Sequence, residues 1–205
     1  MSRVMDIVLV ILMAPFLVPV IIIVTIAVLI LDGRPVFFRQ ERMTRGCKPF
    51  MLYKFRTMTH DDNDSGVAGG DKVARITPIG RFMRRTRVDE LPQLWNIFKG
   101  DMGYVGPRPP LRRYVERFPD LYGEVLKDRP GVTGLATVVF HKREEALIAP
   151  CTTAEETEAV YERRCIPTKA RLDLIYARHR SVCMDLRMIL ATLNRRMRAM
   201  PKVQK

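Results

Sequence analysis

Paired cysteines and clustered histidines are missing from this sequence, and several chemistries go with them. Its four cysteines, at 47, 151, 165 and 183, have neither the close pairing of a zinc site nor the density of a secreted disulfide scaffold. A reducing compartment fits them. The three histidines, 60, 141 and 179, form no HxxxH pair, so no histidine-based metal site is expected. Negative charge is also scarce: 22 acidic residues stand against 35 Lys and Arg, a net charge of +13. That balance implies an anionic partner, whether nucleic acid, an acidic membrane or a phosphate-rich small molecule. Aromatics make up only 8%, and no helix-turn-helix or RNP-like pattern occurs, so nucleic acid is not the expected partner. No repeat of solenoid length is present, and 205 residues suit one domain that buries its own core.

What the sequence does have is a long apolar run. Ile7 to Leu31 carries no charge, and at 1.5 Å per residue about 25 helical residues match a bilayer's ~30 Å hydrocarbon layer. It is longer than a signal-peptide core, and no small-residue cleavage site follows it. Pro15 and Pro19 each remove a backbone donor and favour a kink midway. Arg3 precedes the run and Arg34 and Arg39 follow it, so the flanking charges set no orientation. A spanning anchor and a re-entrant hairpin that leaves by the face it entered are equally compatible with these residues.

Beyond the run, stretches near Val36–Gln40 and Phe50–Phe55 flank a Gly-containing polar turn and predict a β-hairpin. "THDDNDSGVAGGDK" is dense in turn formers and predicts a mobile loop. Its calcium-loop hint fails because Lys72 stands where an EF-hand needs glutamate. Two basic amphipathic helices follow from helical spacing. One carries Ile76, Ile79, Phe82 and Met83 beside Arg81, Arg84, Arg85 and Arg87. The other carries Leu186, Ile189, Leu190, Leu193 and Met197 beside Arg187, Arg195, Arg196 and Arg198. Each is either a core-facing helix or one lying in an anionic lipid interface. "RPGVTGLATVVF" predicts a short strand after a turn, and "TTAEETEAVYERRC" a polar helix. The whole reads as one α+β unit on a membrane anchor.

Within "TRVDELPQLWNIFKGDMGYVGPRPP", Asp89 and Glu90 sit in a basic segment directly before an apolar stripe of Leu91, Leu94, Trp95 and Phe98. Pro92 suits a first helical turn, so the two acids are predicted to cap a helix. Capping alone is a sufficient reason for acids there. Clustered arginines upstream and "GPRPP" downstream add an anion site, and acid plus anion site suggests phosphoryl chemistry. The phosphorus of a diphosphate is shielded by anionic oxygens, so an attacking carboxylate needs that charge neutralised. The basic neighbours are expected to keep Asp89 ionised for attack.

DELPQL and GPRP, with "KFRTM" upstream and "RPGVTG" downstream, resemble the bacterial sugar transferase family, the monotopic phosphoglycosyl transferases, over nearly the whole chain. The resemblance implies a mainly helical α+β fold. Residues 1–33 form a proline-broken re-entrant membrane helix, and residues 34–205 a cytoplasmic-face catalytic domain with interfacial helices and a small β-hairpin. The two make a single functional unit on the bacterial inner membrane. It implies transfer of a sugar 1-phosphate from a UDP-sugar to polyprenol (undecaprenyl) phosphate with release of UMP, the first membrane step of glycoconjugate assembly. Asp89 becomes the nucleophile that forms a covalent phosphosugar intermediate, and Glu90 its partner in metal or proton handling. Mg²⁺ is implied at this pair. Lys54, Arg56, Arg108, Arg129 and Arg143 are implied in substrate binding. Pro15 takes a structural role at the helix break, and Pro107 and Pro109 stiffen the loop that holds Arg108. Homo-oligomerisation is left open.

The chain departs from the family pattern at Ala14, usually serine, at Gly103, commonly serine, and at Leu135 and Thr137, usually Trp and Gln. "HKREEALIA" resembles one branch of the family, which implies that Arg143 and Glu144 face the sugar. An alternative alignment places His141 at an arginine of other branches. A competing function, a membrane-anchored module that binds anions through its basic surface, accounts for the charge but leaves DELPQL unexplained.

Overall fold

The computed structural model describes residues 2–59 and 74–193. The predicted loop over residues 60–72 and the basic end carrying Arg195, Arg196, Met197 and Arg198 lie outside the described residues. The described chain is mainly helical, with two two-stranded sheets.

Helix α1, Arg3–Leu31, starts at Ser2, whose hydroxyl accepts from the Met5 N–H. It contains an 18-residue window of mean hydropathy 3.2, long and apolar enough to cross a membrane. Pro15 and Pro19 do not end it, because each proline deletes one donor while the ladder continues on both sides.

Both ends of α1 are fastened to the same body. Near the start, Arg3 donates to the carbonyls of Ile97 and Phe98, Asp6 accepts from the Tyr104 N–H at 3.3 Å, and Val10 joins a core with Phe50, Leu52, Ile97 and Met102. At the far end Val28 is fully buried with Phe55 and Met83. There Arg56 donates to the carbonyls of Asp32, Gly33 and Arg34, and the Thr77 hydroxyl donates to Asp32 at 2.7 Å. Between these anchors Ile11, Leu12, Met13, Phe16, Val18 and Val20 are exposed.

Strands β1, Phe37–Thr44, and β2, Lys48–Phe55, form the expected hairpin, with antiparallel register from Phe37↔Phe55 to Thr44↔Lys48. The turn is Arg45–Cys47, with Gly46 and Cys47 at positive φ. The strands run further into the turn than apolar content predicted, because the ladder is made by backbone and tolerates polar residues at its end. Along β2, Phe50, Leu52 and Lys54 share one face by the two-residue period, which carries the lysine ammonium to the edge of the core.

Helix α2, Pro78–Thr86, is capped by Thr77 and ends at Arg87 in the left-handed region. A one-turn 3₁₀ segment, Val88–Glu90, and helix α3, Gln93–Lys99, follow. The acids therefore do not cap α3. Its N-cap is Pro92, and the dyad sits one turn upstream because Arg87 breaks the helical path. Of the α2 stripe, Met83 is buried and Ile79 packs beside it, whereas Phe82 is exposed.

Strand β3, Gly103–Val105, pairs in parallel with β4, Gly131–Thr133. Between them lie α4, Arg112–Arg117, and α5, Pro119–Val125. The short strand expected within "RPGVTGLATVVF" is β4, while its "LATVVF" part opens helix α6, Leu135–Ile148. Packing of Leu135 into a core with Val105, Tyr176 and Met188 overrides the β preference of its valines. The expected polar helix is α7, Ala154–Val160, capped by Thr153. It continues through a π-helical turn, Tyr161–Cys165, into α8, Ile166–His179. In α9, Val182–Leu193, Met188 and Ala191 face the core while Val182, Leu186 and Leu190 are exposed, so the helix has apolar residues on two sides.

Candidate active site

The KFRTM segment places three neighbouring residues in three roles. Lys54 turns inward and donates to Glu90 Oε1 at 3.0 Å. Arg56 closes the carbonyl end of α1 instead of meeting the dyad. Thr57 accepts from the Arg84 guanidinium at 2.8 Å. Its carbonyl lies so close to α2 that a Cβ on Gly80 would meet it at 2.2 Å. Asn96 stitches α3 to β2: its amide donates to the Met51 carbonyl at 2.7 Å and its oxygen accepts from the Tyr53 N–H at 3.1 Å. The dyad is thereby held in register with Lys54.

Glu90 is the centre of a cationic cluster. Arg87 donates to its second oxygen at 3.2 Å, and Arg108 lies 3.6 Å from the oxygen that Lys54 holds. Burial works against its charged form, but Lys54, Arg108 and Arg87 together outweigh burial and bring its pKa down to about 2. Burial lowers the pKa of Lys54 itself, against the opposing pull of Glu90. Asp89 is different. It is buried, accepts no hydrogen bond among the described residues, and has its pKa raised by burial first, with the charge of Glu90 adding to the rise against the pull of Lys54, Arg84 and Arg108. The basic neighbours favour the charged form, as expected, and burial opposes them. A partly desolvated carboxylate is a stronger nucleophile than a fully solvated one, provided it has lost its proton.

Of the five predicted substrate-binding residues, Lys54 and Arg108 meet the dyad. Arg56 caps α1. Arg129 lies 3.7 Å from Asp6 at the base of that helix, and Arg143 is exposed on α6. Glu144 binds Lys169 at 2.9 Å, and His141 faces Glu145 at 3.3 Å on its own helix. The prolines act through their carbonyls as well as their rings, since Pro107 accepts from the Gly131 N–H and Pro109 from Arg42.

Sequence reasoning missed Arg42 and Gln93, which line a cleft with Lys54, Arg108 and Pro109. Burial beside Arg108 pulls the Arg42 pKa down to about 10, so it stays cationic at neutral pH. The available signal was β1 alternation, which puts Arg42 on the same side as Gln40. Among the described residues no three His, Cys, Asp or Glu side chains cluster as a metal cage. Asp89 and Glu90 fit a different arrangement, because Mg²⁺ is commonly held by one or two carboxylates together with substrate phosphates.

Lys54→Met tests the cluster. The change leaves Glu90 with Arg87 and Arg108 only, and is expected to cost about 1–3 kcal/mol by chemical denaturation. Adding Glu90→Gln should recover part of that loss, as a coupled pair requires.

The bacterial sugar transferase family model matches residues 1–199. The chain is 47% identical over 120 residues to an uncharacterized sugar transferase of Bacillus subtilis (strain 168), covering 58% of this chain and 59% of that one. It is 36% identical over 179 residues to a UDP-glucose:undecaprenyl-phosphate glucose-1-phosphate transferase of Klebsiella pneumoniae, covering 85% of this chain and 35% of that one. An enzyme of the same description from Escherichia coli (strain K12) is 34% identical over 197 residues, covering 94% of this chain and 39% of its own length. The matched region thus spans between about a third and three-fifths of these relatives' lengths.

Proposed function

We propose that this chain, which belongs to the bacterial sugar transferase family, moves a sugar 1-phosphate from a UDP-sugar onto a polyprenol phosphate such as undecaprenyl phosphate and releases UMP. The observation that carries the reading is a buried acid pair ringed by Lys54, Arg87 and Arg108, with Arg42 and Arg84 beside them.

The chemistry follows from that arrangement. The cations neutralise the diphosphate oxygens and let the Asp89 carboxylate approach the phosphorus that bears the sugar. An Asp89 oxygen bonds to that phosphorus, the bond to the bridging oxygen breaks, and UMP departs with the electron pair. The aspartyl phosphosugar is then attacked by a phosphate oxygen of the polyprenol acceptor, which forms the lipid diphosphosugar and frees Asp89. The sugar's anomeric C–O bond is untouched. Glu90 orients Lys54, Arg87 and Arg108 toward the phosphates. Asp89 and Glu90 would hold Mg²⁺, which would supply further charge neutralisation.

The acceptor lives in a bilayer, and α1 suits a re-entrant insertion on the cytoplasmic face. Val10 packs in the same cluster as Phe50 and Leu52, and Val28 in that of Phe55. A straight helix separates those two valines by about 27 Å, whereas three to five strand residues cover roughly 10–17 Å. A bend near Pro15 and Pro19 meets that mismatch and leaves the exposed Ile11–Val20 stretch as the inserted tip. The outward apolar residues of α9 and the exposed Phe82, Trp95 and Phe98 fit the headgroup boundary.

Single cysteines introduced at Ser2 and Gly33 in the full chain, labelled by an impermeant reagent in sealed vesicles, should react from the same side. Opposite-side labelling rejects the re-entrant geometry. For the activity, UMP release measured across a panel of UDP-sugars, with polyprenol phosphate and Mg²⁺ present, should single out one preferred donor. Absence of UMP from every donor rejects the reading.

A further inference from the structure

A cavity larger than the cleft beside Lys54 and Arg108 lies away from the dyad. It encloses about 180 Å³ at the base of α1, lined by Asp6, Arg45, Gly103, Asp128, Arg129 and Arg180 with the Val105 backbone strand. Three guanidinium groups face two carboxylates there, and both acids are already engaged. Asp128 pairs with Arg180 at 3.2 Å, and Asp6 accepts from the Tyr104 N–H.

Arg129 is the informative member. Its side chain is only 24% exposed, yet its nearest partner is Asp6 at 3.7 Å, and it donates no hydrogen bond to any described residue. A guanidinium carries five donors, and those of Arg129 are left to face the cavity. Arg45, exposed in the hairpin turn, reaches the same cavity and likewise has no partner among the described residues. Unfilled donors of two arginines therefore converge on a space large enough for a tetrahedral oxyanion and bound water, each water occupying about 30 Å³. Gly103 keeps that space open, since a Cβ there would stand 3.1 Å from the Asp6 carboxylate.

The location bears on the ligand. Asp6 precedes by one turn the point where α1 loses its protein neighbours, and Arg180 lies two residues before α9 with its exposed Val182, Leu186 and Leu190. The cavity thus borders the two elements best suited to lipid.

We propose that this cavity is a phosphate-binding site, separate from the dyad, in which Arg45 and Arg129 grip the oxygens of a phosphate group. A lipid headgroup at the boundary and free phosphate present the same chemistry, and two experimental arms separate them.

In the first arm the full chain in uncharged detergent is unfolded thermally in chloride and in inorganic phosphate at matched ionic strength. Phosphate should raise the midpoint saturably, as a ligand of the folded state does. Arg45 is exposed, so Arg45→Gln should fold normally, and Gly103→Ser narrows the cavity beside Asp6 without removing a charge. Each should weaken the apparent phosphate affinity about tenfold or more, as loss of a charge-assisted contact predicts. Arg108→Gln, which alters the dyad cluster, should leave this response in place.

In the second arm the chain sits in phosphatidylcholine nanodiscs with or without phosphatidylglycerol. A headgroup ligand raises the wild-type midpoint in the anionic discs and not those of the two cavity variants; a soluble ligand shows in the first arm alone. The proposal is overturned if neither arm shifts the midpoint, if Arg45→Gln and Gly103→Ser respond like wild type, or if Arg108→Gln abolishes the effect. None of these outcomes depends on turnover, so failure here leaves the transferase reading standing.

Discussion

Asp89→Asn is expected to abolish UMP release, by about 10⁴-fold or more as for loss of a nucleophile, while making the fold more stable at neutral pH. The two effects share a cause. Asp89 is buried beside Glu90, accepts no hydrogen bond among the described residues, and has its pKa raised above the ordinary 3.8. An acid whose folded-state pKa exceeds its unfolded value is ionised at a cost to stability at every pH above the folded-state pKa. That cost fades as pH falls through the folded-state pKa toward the unfolded one. Asn removes it, so the variant's melting midpoint should exceed wild type near neutrality and the gap should close in acid.

The wild-type kcat/KM should also fall on acidification through the Asp89 pKa, at higher pH than an ordinary aspartate would give. Glu90, at about 2, stays charged throughout that window. A variant that retained turnover, or that lost activity with an unchanged acid stability profile, would separate Asp89 from the role assigned to it.

Gly131→Ala carries the second large effect, this one on the fold. A Cβ at Gly131 would lie 2.2 Å from the Gly106 nitrogen and 2.5 Å from the Val105 carbonyl carbon, both backbone atoms. The β3–β4 pair cannot spread, because Gly103 N–H donates to Pro130, Gly106 N–H to Thr133 and Gly131 N–H to Pro107, all within 2.9 Å. Overpacking against backbone costs about 3 kcal/mol or more, roughly 6–12 °C in melting midpoint for a chain of this size. Because Pro107 is one of the acceptors, the Arg108 loop should shift and turnover should fall too. Gly123→Ala is the control. It sits in α5 with nothing within 4 Å of its Cβ, and should stabilise by about 0.5–1 kcal/mol. Thermal melts and UMP release on the same two proteins decide the matter, and equal behaviour of the two would refute the packing argument.

These glycines explain why GPRP and RPGVTG are separate in the chain yet act together. The Gly134 Cβ position falls 2.1 Å from the Gly106 carbonyl, so the two motifs interlock through bare backbone. Read as letters, they were candidates for phosphate contact. In the fold only Arg108 of the pair of arginines reaches the dyad, and Arg129 turns to Asp6 on α1. Likewise Leu135, which departs from the family pattern, is a fully buried core residue.

Local order in the chain was enough to determine the apolar helix and its prolines, the hairpin, the α2, α7 and α9 helices, and an acid pair set in a basic segment. Each of these rests on periodicity, turn chemistry or a contiguous motif, which are properties of neighbours in sequence. Tertiary structure alone decided that Arg56 and Arg3 fasten the two ends of α1 and that Arg42 enters the cleft. It also decided that "LATVVF" becomes helix and that Asp89 is buried while Glu90 is held by Lys54, Arg87 and Arg108. Those outcomes depend on which distant backbone carbonyl, charge or apolar face comes within a few ångströms, and desolvation, the largest influence on both carboxylates, exists only once the chain has closed around them.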